Sequence, residues 1–225
     1  MDAPGPPQSI GLFGGTFDPV HSGHLALAAH VLDRCGLDRL LFIPAPEPPH
    51  KRRPEASFAH RTAMLEAALA DCPQHRRMAV SLIEAELPTP SYTIRTVEAL
   101  MARHGQSRYF LVIGADSLRD LPHWHRGREL LARVSLIVVR RDQTGPGDPG
   151  RILAELGSGF VPATDPHTWR GPTGTTLTYL DEVDFPVSSS AIRAQLARGE
   201  TPAMLPAAVF AHIQAHRLYG WRPSP

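Results

Sequence analysis

Near the start of this 225-residue chain two imidazoles stand three residues apart, just behind a pair of glycines. The stretch is GGTFDPVHSGH, residues 14–24, with Gly14, Gly15, Thr16, Phe17, His21 and His24 as its chemically informative members. Glycine lets a backbone come close to a phosphate, and a helix beginning just beyond would add unpaired N–H groups and the positive end of its dipole. His21 and His24, with Ser22 and Gly23 between them, can both turn toward one anion. Thr16 offers a hydroxyl to the same anion, and Phe17 either lines the loop or packs beneath it. The competing readings are a helix cap beside a solvated histidine, or a zinc pair. Zinc lacks a third ligand, since no cysteine or further histidine stands close by in sequence. Asp18 precedes Pro19, so it has two roles open to it, turn shaping or contact with a ligand or hydrated ion.

A second candidate cradle lies near the other end, where Ser188, Ser189 and Ser190 precede Arg193. Hydroxyls and free N–H groups at a helix start, with a guanidinium one turn in, suit a phosphate. By itself the same pattern is an N-cap followed by a solvated arginine. An arginine fork can grip two oxygens of a pyrophosphate, which a lysine cannot.

Both stretches need elements to hold them. Residues 10–13 form a short apolar run that ends at Gly14, and Leu25, Ala28, Ala29 and Leu32 then recur at helical spacing. Further strand-length runs cover 39–43, 78–82, 109–113 and 134–139, and helical patterns cover 58–70 and 92–103, the latter behind Ser91. Such alternation predicts an α/β, Rossmann-like, doubly wound parallel sheet with helices on both faces, because parallel strands require crossovers. In that fold the loop after the first strand is a ligand edge. Two closing helices, at 188–198 and 206–216, make a small C-terminal helical extension. The expected layout is a flexible leader at 1–8, a core at 9–186, and a C-terminal motif with helices at 187–225 packed on it, one domain in all. Residues 143–150 and 162–174 read as turn-rich loops, with an irregular or weakly helical segment between them.

Composition narrows the field. Lys plus Arg is 23 against 22 for Asp plus Glu, so the chain is no polycation and nucleic acid is not the expected partner. Proline, at 23 residues, is about twice its usual share and predicts stiff loops. Cys35 and Cys72 are too few for a disulfide framework; buried thiols in a reducing, cytoplasmic compartment are the expectation. The first nine residues carry no Lys or Arg and no apolar stretch of signal-peptide kind, and no apolar run reaches the ~20 residues of a membrane span.

GGTFDPVHSGH closely resembles the signature of the nucleotidyltransferases with an (H/T)xGH motif, and within them the bacterial nicotinate-nucleotide adenylyltransferases. Matches continue along nearly the whole chain: Ile43-Pro44, Pro48-Pro49-His50-Lys51, Pro90-Ser91-Tyr92-Thr93, residues 113–118 (IGADSL), Leu121-Pro122 with Trp124, residues 138–141 (VVRR), and residues 187–193 (VSSSAIR). The family's last motif is usually ISSTxIR; Val187 and Ser190 depart from it while keeping the hydroxyl. The resemblance implies transfer of an adenylyl group from ATP to nicotinate mononucleotide, giving deamido-NAD and pyrophosphate, with Mg²⁺ carried on the ATP phosphates and no further metal. It assigns catalysis to His21, His24 and Arg193. ATP would be bound by Gly14, Gly15, Thr16, Phe17, Gly114, Asp116 and Ser188–Ser190 as well. The pyridine nucleotide would meet His50, Lys51, Tyr92, Thr93 and Trp124, with Trp124 stacking on its ring. Kept beside this reading are another adenylyltransferase of the superfamily, acting on nicotinamide mononucleotide or phosphopantetheine, and a nucleotide-sensing domain without turnover. A homo-oligomer is compatible with the sequence.

Overall fold

A computed structural model describes residues 7–47, 53–105, 107–140, 149–181 and 187–222. In chain order the elements are β1 (Ser9–Gly15), α1 (Ser22–Arg34), β2 (Arg39–Pro44), α2 (Phe58–Ala70), β3 (Met78–Val80), α3 (Thr93–His104), β4 (Arg108–Gly114), α4 (Ala115–Asp120), α5 (Gly127–Arg133), β5 (Ser135–Val139), α6 (Pro149–Glu155), β6 (Val161–Pro162), β7 (Thr168–Arg170), β8 (Thr176–Leu180), α7 (Ser189–Ala197) and α8 (Ala207–His216). The strands form one sheet in the order β3-β2-β1-β4-β5-β8-β7-β6. The fold is α/β and Rossmann-like, as the alternation of patterns requires.

Two compact units divide the chain: 1–13, 31–40 and 92–184 in the first, 14–30, 41–91 and 185–225 in the second. Residues 187–222 therefore group with the early loop and with α2.

In the first unit β1, β4, β5 and β8 run parallel, with Leu12 beside Leu111, Val112 beside Ile137 and Val138 beside Tyr179. The four residues Leu136 to Val139 are all buried, the continuous apolar run of a strand covered on both faces. Gly11 has a steric reason, because a Cβ there would come within 2.8 Å of Leu37 Cδ1.

The antiparallel margin corrects the expectation that residues 162–174 form a turn-rich loop, since β7 lies within them. β7 pairs antiparallel with β8 and with β6, whose Pro162 is tolerated at the end of the strand order, where no further neighbour needs its N–H. β8 escaped sequence reading because threonines interrupt its apolar residues and the turn-rich 171–175 precedes it. The segment between the two turn-rich stretches is partly helical, as α6; residues 141–148 lie outside the described ones. The third strand is shorter than its apolar run, giving way to a 3-10 turn at Ile83–Glu86. Cys35 and Cys72 are half-buried rather than buried.

In the second unit the chain leaves β1 and enters α1, and Ala45 N–H reaches back to Gly15 O at 2.9 Å while Ser81 N–H donates to Phe42 O at 2.8 Å. α2 starts at Ser57, whose hydroxyl accepts from His60 N–H, and it buries Met64, Leu65, Ala68 and Leu69. α2 packs against α8. No helix of the described residues is long and apolar enough to cross a membrane.

Candidate functional site

The loop from β1 to α1 is held from beneath by a charged residue that sequence reading passed over. Arg61 lies within the apolar pattern of α2 and is only 1% exposed. Its guanidinium donates to three carbonyls, of Thr16 at 2.7 Å, Pro46 at 3.0 Å and Ala56 at 3.3 Å. Burial pulls its pKa below the ordinary arginine value, and the Asp18 carboxylate opposes that pull. The signal was a basic residue at an inward helical position, which is costly unless its donors are answered.

Asp18 is the second anchor. Its carboxylate is buried and accepts from Glu55 N–H at 2.8 Å, Ala56 N–H at 3.1 Å and Tyr219 O–H at 2.8 Å. Of the two roles open in the sequence, the structure shows it fixing the loop. Burial, and then the adjacent Asp18 charge, push the Tyr219 hydroxyl above its ordinary pKa, so it stays a donor. Tyr219 carried no sequence signal, because its partner lies 201 residues away.

Above these anchors sit the loop's aromatic rings. Phe17 adopts a left-handed backbone (φ 50°), which is strained for a non-glycine residue. Its buried ring covers Gly15, where a Cβ would approach to 2.8 Å, and its edge meets His24 at 5.1 Å between centroids. The His21 and His24 rings stack, 3.7 Å between centroids and 27° between planes. Gly23 makes room for this, since a Cβ there would lie 2.5 Å from Val187 and 3.1 Å from His21 Nδ1. His21 N–H donates to His24 Nδ1 at 3.3 Å. A neutral His24 accepting at Nδ1 carries its proton on Nε2, the tautomer that offers an N–H to a phosphate oxygen.

The late stretch joins the early one directly. Ser189 Oγ donates to Pro19 O at 3.0 Å, and Arg193 Nη1 donates to Asp18 O at 2.8 Å, across 170 and 175 residues of sequence. Arg193 Nε also donates to Glu55 Oε1 at 2.7 Å. Ser188 is the N-cap of α7, accepting from Ala191 N–H at 3.2 Å, and its hydroxyl pairs with that of Ser190 at 3.0 Å. The second unit thus brings Gly14, Gly15, Thr16, Phe17, His21, His24, Ser188–Ser190 and Arg193 to one place. His50 and Lys51 lie outside the described residues.

The remaining candidates belong to the first unit. Gly114 caps α4, and a Cβ there would fall on the carboxylate of Asp116 in the first turn. Tyr92 caps α3 ahead of Thr93, one residue later than the start expected at Ser91. Its ring stacks on His125, 4.2 Å between centroids and 24° between planes, with the Arg95 guanidinium 5.3 Å from the ring centre. Trp124 turns the chain tightly, its N–H donating to Leu121 O at 3.1 Å and its carbonyl accepting from Gly127 N–H at 3.0 Å. His125 as a stacking partner was missed, since nothing local ties it to Tyr92.

Residues 12–195 match the cytidylyltransferase-like family. The probable nicotinate-nucleotide adenylyltransferase of Gloeobacter violaceus is 39% identical over 215 residues, which span 94% of this chain and 96% of that protein. That of Bacillus pumilus is 40% identical over 94% of this chain and 98% of its own. Among solved structures, Plasmodium falciparum nicotinic acid mononucleotide adenylyltransferase complexed with NaAD superposes with a TM-score of 0.73 at 16% identity, covering 96% of this chain and 98% of that one, a likeness of fold. With its early and late motifs meeting at Asp18 and its relatives aligned over 94% of its length, the chain belongs to the nicotinate-nucleotide adenylyltransferases of the cytidylyltransferase-like family.

Proposed function

We propose that this enzyme transfers the adenylyl group of ATP to nicotinate mononucleotide, a step in making NAD, and that the His21–His24 pair and Arg193 carry the phosphate chemistry. An oxygen of the nucleotide's 5′-phosphate bonds to the α-phosphorus of ATP, the bond from that phosphorus to the α,β-bridging oxygen breaks, and pyrophosphate leaves. A phosphate monoester is already nucleophilic near neutral pH, so no activated serine or cysteine is needed. The protein's task is in-line alignment and neutralisation of charge on the leaving pyrophosphate. The observation that carries the reading is the stacked histidine pair at the start of α1, with His24 Nδ1 accepting from His21 N–H, on a loop that Ser189 and Arg193 also hold. Arg193 spends Nε on the Glu55 carboxylate and Nη1 on the Asp18 carbonyl of that loop, which leaves Nη2 as the arm for a phosphate oxygen.

Magnesium belongs to this reading as the companion of ATP. Asp18, the carboxylate closest in sequence to the histidines, is taken up by two backbone N–H groups and Tyr219, so these residues fit an ion held on phosphate oxygens rather than in a carboxylate cage. Bound there, it would offset charge developing on the pyrophosphate. Gly114 and Asp116 are assigned to the ATP nucleoside, and Tyr92, Thr93 and Trp124 to the pyridine nucleotide. Support for the latter comes from the Tyr92 ring, held flat by His125, and from Thr93 at a helix start where donors suit a carboxylate. Free thiols at Cys35 and Cys72 fit a reducing cytoplasm.

The test is pyrophosphate release from ATP, Mg²⁺ and nicotinate mononucleotide, with the nicotinamide nucleotide run in parallel. The expected result is turnover with at least about a hundredfold preference for the acid, because the amide lacks the negative charge and meets the donor for the second carboxylate oxygen with an NH2 group that cannot accept. Nucleotide binding without pyrophosphate release would overturn the reading in favour of a sensor.

A further inference from the structure

Away from the phosphate loop, three histidines converge where α2 meets α8. His212 and His216 are four residues apart on α8 and so share a face, and His60 comes from the first turn of α2. Their ring centroids are 5.3 Å (His60 and His212), 4.8 Å (His60 and His216) and 4.4 Å (His212 and His216) apart. One nitrogen from each lies within 4.8 Å of the other two, and His60 Nδ1 is 3.1 Å from His212 Nε2. Four ligands at about 2.0–2.1 Å around a tetrahedral zinc stand about 3.3–3.4 Å apart, so the nitrogens need only small movements to embrace an ion. A plain N–H···N hydrogen bond would account for His60 and His212 but not for the third ring at the same point.

We propose that His60, His212 and His216 form a binding site for a divalent transition-metal ion, zinc foremost, that ties α2 to α8. Three imidazoles without carboxylate or thiolate select zinc and its neighbours copper, nickel and cobalt over magnesium or calcium, which require oxygen. The site is therefore chemically distinct from the ion that travels with ATP. Three protein ligands leave a fourth position for water. Burial, and then the neighbouring His216 and His60, lower the pKa of His212, a direction that favours the neutral imidazole a metal requires.

The site has a structural consequence within this unit. His60 directly precedes Arg61, which holds the Thr16 carbonyl, and α8 runs on to Tyr219, which donates to Asp18. An ion joining the two helices braces both anchors of the phosphate loop at once.

The experiment uses the full chain stripped with a chelator and then titrated with Zn²⁺ alone, read by calorimetry and melting temperature, with Co²⁺ absorption reporting coordination geometry. Expected are saturable binding of one ion, a Tm that rises with Zn²⁺ concentration, and tetrahedral cobalt bands. His216→Ala, at an exposed position, and His212→Ala should each weaken binding by at least about tenfold and abolish the Tm rise, with the other nine histidines unchanged. No saturable binding in the wild type, or wild-type affinity in the His212→Ala/His216→Ala double variant, would overturn the proposal. Because the readout is metal binding, it stands or falls separately from the adenylyl-transfer assay.

Discussion

The Asp18 loop and the turn carrying Trp124 hold their side chains by opposite means. Around Asp18 the polar groups are buried or half-buried and answered: three donors on one carboxylate, three carbonyls on Arg61, and Ser189 and Arg193 on the loop's own backbone. At the turn, two backbone hydrogen bonds fix the chain while His123 and His125 are exposed and Trp124 is half-buried. The difference teaches where rigidity is needed. On the proposed assignment the Asp18 loop carries donors aimed at developing charge, and such donors work only if they are already in place, which a closed framework provides. On the same assignment Trp124 is a stacking surface for a flat ring, which tolerates adjustment because stacking is less directional than a hydrogen bond to a phosphate.

The sharpest way to break that contrast is Asp18→Ala. It strands two backbone N–H groups and the Tyr219 hydroxyl in a buried place, and the expected loss of stability is about 3–5 kcal/mol by urea unfolding. A loss under 1 kcal/mol would mean that the loop does not depend on this carboxylate. Next comes His24→Ala, whose missing Nε2 donor should lower kcat by about 10²–10³, roughly 2.7–4 kcal/mol of transition-state stabilisation, while Tm moves by about 4 °C or less. Near wild-type turnover would remove His24 from the chemistry. The smallest effect belongs to the open turn: Trp124→Ala should raise the KM for nicotinate mononucleotide roughly tenfold, with the KM for ATP little changed. Equal changes for both substrates would give Trp124 a packing role and erase the contrast.

How far the sequence could be read followed the range of the interactions concerned. The unit from β1 through the glycine loop to α1 was legible because its cues are local: an apolar run, glycines where side chains collide, and histidines at the start of a periodic stretch. β8 was not, since its threonines blur the pattern and its place in the sheet depends on Leu136–Val139 forming its partner strand. Ser188 read correctly as a possible cap for the same local reason. Arg61 was overlooked because an arginine in an apolar helix is interpretable only once the carbonyls that surround it are known.

The chain's own order of residues determined the alternating α/β architecture, the family motifs and the residue types offered to a phosphate, all through contacts between near neighbours. Only the tertiary structure decided that Asp18 is an anchor, that Arg193 leans on the early loop, and that His60 meets His212 and His216. Those outcomes rest on pairs separated by 37 to 201 residues, and no local pattern states which distant groups will share a buried hydrogen bond until folding has brought their donors and acceptors together.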